Sequence, residues 1–430
     1  MNKTNMITIN FTDDQGTDGG KEFLVGLDDF EQLEDNSIQF VFDGVENAWF
    51  QDFGDQSIRQ VYEKITPNLF IGRTKGEFLE NFNKIYLSGV LSRWFLIVIV
   101  DYKTDLEVTT YIENAANPES TVKYIKSISG LGANNPTAIK LNNFFSWSSF
   151  SFADSKELLQ ALDIDPTLLT DPHKLNVYNV GQGSLCSITT EDNLPLIYFD
   201  MGGGAWRYHS TYPNPKQLCF TKAKTIVLSH WDWDHLETAR RYSYGNWAQF
   251  NQKTWIVPKQ NLTSSYFKLA CMIANTGNML IWPDVGLPSL TFWGGEIILC
   301  NGPHKNHSGL ALIVDSPRNS IPSVLHPADA AYRYILGATT RNFDGVVATH
   351  HGANFPVNNT PVTTTSHGHI AYSHGNGYGH PTAFSLTAHA IARWTNIRET
   401  TNGSISFTTS HAKLNAPCFA QCDLGIAQTF

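Results

Sequence analysis

The sequence predicts an N-terminal α+β domain over residues 1–172 and an α/β domain over residues 173–430. Three observations predict it. The texture changes near residue 172, where a helix-spaced segment runs into Pro166 and Pro172. From Lys174 onward strands, tight glycine turns and helices alternate, the pattern of helices laid on sheets. Several of those strands end in histidine or aspartate just before a glycine or proline, as when sheet edges present polar groups to a common cleft.

In the first domain, IQFVFDGV (38–45) and WFLIVIVDY (94–102) are runs of β-branched and aromatic residues and read as strands. DDFEQLED (28–35) and SIRQVYEKI (57–65) read as short helices. No motif in this half carries chemistry and its role is left open, with docking of a protein partner as one alternative. In ADSKELLQALDIDPTLLTDP (153–172), Leu158, Leu159 and Leu162 carry helical spacing. That segment is expected to close the first domain and connect it to the second. KLNVYNVGQGSLCSITT then reads as strand, turn, strand, LPLIYFDMGGGA as a strand ending in Asp200 and a glycine run, and KTIVLSH as a strand followed by a helix beginning at HLETARRYS.

Composition narrows the function classes. A net charge of −9, from 30 Lys and Arg against 39 Asp and Glu, argues against a surface coated for wrapping duplex DNA, although a local basic groove is compatible with it. The start, MNKTNMITINFTDDQG, has no apolar core of a signal peptide, and the longest apolar run, Trp94 to Val100, is too short to span a bilayer. A cytoplasmic protein without membrane contact is expected. Six cysteines without C-x-x-C spacing suggest buried thiols and not a disulfide framework or zinc knuckle. No internal repeat supports a solenoid.

The chemistry concentrates in LSHWDWDHLE, residues 228–237. His230, Asp232, Asp234 and His235 fall within six positions between an apolar strand and a helix. Imidazole and carboxylate together suit zinc, and the larger carboxylate share favours manganese or another harder ion. The competing explanation is a set of turn and N-cap residues, for which Asp234 alone would serve. Four such groups among tryptophans fit it poorly, because unpaired buried charge costs several kcal/mol, on the order of ~3 or more. Downstream, SVLHPADAAY delivers Asp329, GVVATHHGANF delivers His350 and His351, and IAYSHGNGYGHP delivers His380.

Taken in order, these pieces resemble a metallo-β-lactamase-fold hydrolase, and most nearly the hydrolase domain of ComEC-type DNA-uptake channels. NVGQGS (179–184) resembles the branch's D-V-G-Q-G-D-S, YFDMGGG its strand-D-x-G-G-G, SHWDWDH its H-x-D-x-D-H, ADA its G-D-A, THHGA its P-H-H-G-S, and NGYGHP (376–381) its N-x-Y-G-H-P. The tail to about residue 409 follows the branch's helix, strand and closing D-x-x-G-x-I-x-F. The resemblance implies an αββα sandwich holding two divalent ions, zinc or manganese. It makes His230, Asp232, Asp234, His235 and His380 terminal ligands and Asp329 the bridge, with Asp200 ordering the site. Asp234, His350 and His351 are the expected catalytic residues, the two histidines holding phosphate or protonating the leaving oxygen, without a choice between them. Gln182 and Ser184 are given no catalytic role.

Departures stand beside the matches. Asn179 and Ser184 replace aspartates of the branch, Ala328 replaces a glycine, and the loop before Asn376 is shorter. For the ligand usually found between the first motif and Asp329, GPHKNHSGLALIV offers His304 and His307; His304 is favoured. Trp231 and Trp233 replace small residues and have two fates, stacking on a substrate ring or core packing.

The expected function is hydrolysis of a phosphodiester in nucleic acid or a nucleotide by two cations that activate water and clamp phosphate oxygens. A metal-binding regulatory or partner-binding subunit, or a hydrolase of another ester or amide, is the alternative, since one fold hosts many chemistries.

Overall fold

The computed structural model describes residues 7–10, 19–32, 37–74, 91–112, 120–164, 174–190, 194–205, 210–211, 218–245, 253–275, 277–315, 323–364, 366, 368–373, 379–400, 404–407 and 413–414. Residues 376–378 of the NGYGHP motif, the segment around residue 172, Cys418 and Cys422 lie outside the described residues. The chain divides into two compact units, one of residues 1–150 with 261–275, the other of residues 151–260 with 276–430.

The first unit is built on strands β1 (Ile7–Asn10), β2 (Lys21–Gln32), β3 (Ile38–Glu46), β4 (Asn68–Thr74), β5 (Leu91–Val100), β6 (Glu107–Ile112) and β7 (Ser120–Gly132). They pair in the order β1-β7-β5-β2-β3-β4-β6, and β6 pairs back onto β7, so the sheet closes on itself. Closure removes the open edges of β2 to β7, while β1 is paired on one side, to β7. Phe23, Val25, Phe40, Phe42, Phe70, Phe95, Ile97 and Ile128 form one buried cluster, to which β2, β3 and β5 contribute alternate residues. The structure corrects one expectation here. DDFEQLED is not a helix up to Gln32, because Phe30, Glu31 and Gln32 pair with Phe40, Gln39 and Ile38 of β3. Pairing with the next strand of the hairpin overrides a weak local helical pattern. SIRQVYEKI is helical as expected, over Ile58–Val61 and Tyr62–Lys64.

The second unit holds strands β8 (Lys174–Val177), β9 (Cys186–Thr189), β10 (Pro195–Phe199), β11 (Thr225–Val227), β12 (Thr254–Pro258), β13 (Met279–Trp282), β14 (Ser289–Phe292), β15 (Gly295–Leu299), β16 (Leu310–Val314), β17 (Val324–His326), β18 (Asn342–Phe343), β19 (Gly345–Val347), β20 (Val362–Thr363), β21 (Gly368–Tyr372), β22 (Trp394–Glu399), β23 (Ser404–Phe407) and β24 (Lys413–Leu414). One sheet runs β13-β12-β11-β10-β9-β8-β23-β24 and another β14-β15-β16-β17-β19-β21-β22, with β18 and β20 paired separately. Strand β16 shows the logic: Leu310, Leu312 and Val314 join a core shared with Val177, Ile188, Phe199 and Val227 of the other sheet, while Ala311 and Ile313 join a second core with Ile298, Val346 and Trp394. A strand apolar at every position is thereby buried on both faces. Each fully buried Leu or Ile contributes about 1.5–3 kcal/mol.

The helix Ser155–Leu162, expected to close the first domain, lies in the second unit. Its Leu158 and Leu162 enter the core shared by the two sheets. A capping box fixes its start, with Asp154 accepting from Glu157 N at 2.8 Å and Glu157 accepting from Asp154 N at 2.9 Å. Among the described residues no helix is long and apolar enough to cross a membrane.

Candidate metal centre

Strands β10 and β11 run parallel and leave the sheet at the same end, so Asp200 and the Ser229-His230 turn emerge side by side. Asp200 is fully buried and accepts from Ser229 N at 2.7 Å and Ser229 Oγ at 2.9 Å. His235 Nδ1 lies 2.8 Å from the same carboxylate. A carboxylate on Nδ1 fixes the imidazole tautomer and leaves the Nε2 lone pair facing the cleft. Asp200 thus ties the Ser229 turn to the His235 ring.

The glycine runs have a matching purpose. The Asp234 carbonyl accepts from Ser184 N and Gly203 N, both at 3.0 Å. A Cβ on Gly202 would lie 1.8 Å from that oxygen, and one on Gly183 2.5 Å away. Only glycine lets the two loops press this closely on the start of the helix Trp233–Gly245.

The second sheet delivers the other half. Strands β17 and β19 are also parallel. Beyond them, Ala328 and Asp329, and the Thr349–Gly352 turn, are tied together by a bond from His350 N to Ala328 O at 3.0 Å. Among described non-glycine residues, positive φ occurs at Asp200, Ala328, His350, His351 and Arg393, and all but the last belong to this cleft. Such backbone conformations cost on the order of ~1–3 kcal/mol each and concentrate where side chains must be aimed.

The aimed side chains meet. His235 Nε2 is 3.1 Å from Asp329 Oδ1, His351 Nε2 is 3.0 Å from Asp234 Oδ2 and 3.9 Å from Asp329 Oδ1, and His350 Nε2 is 3.4 Å from Asp329 Oδ2. Asp234, His235, Asp329 and His351 each offer one ligand atom, all within 4.8 Å of one another. Two bonds of ~2.1 Å at a tetrahedral angle would separate their ligand atoms by roughly 3.4 Å. The closest donor pairs fall near that spacing.

The donor set also fits a metal by what it leaves unsatisfied. His230 Nε2 and His235 Nε2 are buried without a hydrogen-bond partner, although each lies near Asp329, at 3.7 and 3.1 Å. Two orphaned buried nitrogens are costly unless a cation takes their lone pairs. The carboxylates hold a proton on His235 that a cation on Nε2 would have to displace. Burial works against charge on Asp329, but His350, His235 and His351 overrule it and hold the carboxyl well below its ordinary range. Burial likewise opposes ionisation of Asp234, yet His235 and His351 bring it down to about 2. His235 is held well above the ordinary histidine value, burial being overcome by Asp329, Asp200 and Asp234, while burial and then His235 push His230 well below it.

The other expected residues are placed less uniformly. Asp232 turns aside: Oδ1 accepts from Trp233 N at 2.8 Å, and Oδ2 lies 3.5 Å from Lys305 Nζ. His380 is buried and stacks edge-on to His350 at 5.5 Å, outside the tight group of four; burial, then His350 and His351, bring its pKa down to about 3. His304 is exposed, with its ring 6.3 Å from that of His307. His307, not favoured from the sequence, is half-buried, accepts from Ala331 N at 3.3 Å, and is depressed by burial and then by His350. Trp231 and Trp233 are both buried, and Trp231 Nε1 donates to Pro258 O, so these rings pack in the core and form no stacking platform.

Gln182 is the residue sequence reasoning passed over. Its Nε2 donates to Asp234 Oδ2 at 2.9 Å, across 52 positions of sequence. A glutamine set between Gly181 and Gly183 was the one available signal. Ser184 stays structural, its hydroxyl 3.5 Å from His326 Nε2.

No family model matches the chain, and no curated protein matches it. Among solved structures, the metallo-beta-lactamase fold protein YhfI from Bacillus subtilis is similar at 13% identity and a TM-score of 0.34, over 55% of this chain and 100% of that one. The chemotaxis sensor ODP, described as a peroxy diiron species, is similar at 18% identity and a TM-score of 0.23, over 40% of this chain and 64% of that one. A protein of unknown function from Enterococcus faecalis V583 is similar at 10% identity and a TM-score of 0.25, over 43% of this chain and 52% of that one. Identity and superposition are both low, and the chemistry of the cleft has to be read from its own residues.

Proposed function

We propose that the protein is a metal-dependent hydrolase of the metallo-β-lactamase type that cleaves a phosphodiester in nucleic acid or a nucleotide. The observation that carries it is the pair of buried, unpartnered imidazole nitrogens on His230 and His235, facing buried carboxylates. Asp234, His235, Asp329 and His351 would hold a divalent ion, zinc or manganese, with His230 and His380 bordering them. When bound, such an ion supplies Lewis acidity that deprotonates water near neutral pH and offsets charge building on a phosphoryl group.

The protein's own residues do the rest. Asp200 keeps His235 in the tautomer that offers Nε2, and Gln182 holds the Asp234 carboxylate so that one oxygen remains aimed inward. His350, whose side chain is 32% exposed, sits at the mouth beside Asp329. There it can donate from Nε2 to a non-bridging phosphate oxygen, or give that proton to the departing alkoxide. His351, only 5% exposed and bonded to Asp234, is committed to the donor group instead. The histidines of the HHG turn, in a motif order that resembles ComEC-type hydrolases, favour phosphate over a lactam.

The test is hydrolysis of a chromogenic phosphodiester, single-stranded DNA and cyclic nucleotides by metal-free, zinc-loaded and manganese-loaded protein. Metal-dependent turnover of at least one class is expected. Loaded protein that turns over none of them, yet cleaves a carboxylic ester or amide, would reject phosphate as the substrate.

A further inference from the structure

The His-x-Asp-x-Asp-His turn does not act as one ligand set. Asp234 and His235 face Asp329 and His351, whereas Asp232 faces Lys305. The Asp232–Lys305 pair is partly shielded, the side chains being 18% and 16% exposed. Its geometry is also held from behind. Gln260 Oε1 accepts from Trp231 N at 3.0 Å, and Gln260 Nε2 donates to Lys305 O at 2.7 Å and Ser308 Oγ at 3.1 Å. Leu310 N donates to Ser229 O at 2.6 Å, pinning the loop after Lys305 to the turn that carries His230. One amide and one backbone bond thus hold the lysine's loop against the aspartate's turn.

The histidines of the Lys305 loop do not join the close group of donors. His304 is exposed, and the His307 Nδ1 lone pair is occupied by Ala331 N. Among the described residues, the group of donors close enough to hold an ion omits Asp232. An ammonium is a compact charge with three donors, able to satisfy a carboxylate and an anionic substrate oxygen together.

We infer that the Lys305 ammonium fills, beside Asp232, the place of a second divalent ion, so that the centre carries one metal ion and one fixed organic cation, and that this cation also binds a phosphate oxygen. The ion count is independent of substrate class; the oxygen contact rests on the phosphodiester reading.

The experiment uses the full chain as wild type, Asp232→Asn, Asp234→Asn, Lys305→Gln and Lys305→Arg, each checked for folding by circular dichroism. Bound zinc and manganese are counted after equilibrium dialysis, and inorganic phosphate binding to the loaded proteins is measured by calorimetry. Wild type should hold about one tight ion per chain. Asp232→Asn and both Lys305 variants should keep it, and Asp234→Asn should lose it. Phosphate affinity should fall roughly tenfold or more in Lys305→Gln, as expected for a lost charge-assisted bond, and recover in Lys305→Arg. Two tight ions in wild type, one of them lost in Asp232→Asn, would overturn the lysine-for-metal assignment while leaving a metallohydrolase. One ion with unchanged phosphate affinity in Lys305→Gln would overturn the oxygen contact. No ion in folded wild type would remove the metal centre itself and this assignment with it.

Discussion

Asp43 in the first unit and Asp329 in the second are the same residue in the same burial, 0% and 2% exposed, and they serve opposite ends. Asp43, on β3, is closed by neutral donors: the Thr263 hydroxyl, Ser264 Oγ at 2.6 Å, Ser265 Oγ at 2.9 Å and Ser265 N at 2.9 Å. These belong to the start of the helix Ser264–Asn275, so the carboxylate caps that helix from the barrel side. Burial raises its pKa against the pull of those bonds. Asp329 is surrounded by imidazoles, and two of them, His230 and His235, keep an unpartnered nitrogen. A buried charge whose neighbours are all satisfied is a stitch; one whose neighbours remain unsatisfied is a place for a ligand.

The largest effect that comparison predicts is on Asp329. Asp329→Ala removes the carboxylate that faces the Nε2 atoms of His235, His350 and His230, so bound metal and hydrolysis should both fall to background. Metal analysis and single-turnover cleavage in parallel check this. An Asp329→Ala protein that keeps its ion and its rate would place Asp329 with Asp43, as a stitch.

His350 and His351 divide next. His350→Ala should keep the metal and lose about 10²-fold or more in turnover, the usual contribution of a proton donor. His351→Ala should weaken metal binding, because His351 Nε2 contacts both Asp234 and Asp329. Equal metal content in the two variants would dissolve the division.

Asp43→Ala should cost about 3–4 kcal/mol, as it strips the cap from a helix and leaves the buried Ser265 N–H without its acceptor. Chemical denaturation measures the loss. Metal bound per folded chain should be unchanged, which sets this variant apart from Asp329→Ala.

The sequence made the cleft legible because its parts are local. A polar pair at a strand end, as in Val346-Val347-Ala348-Thr349-His350-His351, is visible without knowing what it meets. Relations between distant residues were not visible. Gln182 reaches Asp234 across 52 positions, and Lys305 claims Asp232 from a loop in which only the histidines attract notice. The helix Ser155–Leu162 was legible as a helix from its leucines, yet leucine spacing says nothing of which core receives them. DDFEQLED failed over a shorter span, its strand being imposed by β3, the next arm of the hairpin.

His389 supplies the mildest test of the comparison, because it is a buried histidine closed in the manner of Asp43. Its Nδ1 donates to Ser385 O at 2.8 Å, and its Nε2 accepts from the Tyr332 hydroxyl at 2.8 Å, with the Tyr372 hydroxyl 2.9 Å from Nδ1. Burial depresses its pKa from 6.5 to about 4, against the opposing pull of Ser385. The unfolded chain therefore binds this proton at a higher pH than the folded one. The neutral ring's contribution is present above the unfolded value and is lost as pH falls toward the folded one, by about 2 kcal/mol between roughly pH 7 and 5. His389→Gln should be less stable at neutral pH through its lost bonds, yet its stability should decline less than that of wild type over the same interval. Urea midpoints at both pH values give the slope. Parallel slopes would mean that His389 takes up its proton in the folded protein over the same pH range as in the unfolded chain, and that hydrogen-bond closure by neutral partners does not by itself hold a buried histidine neutral.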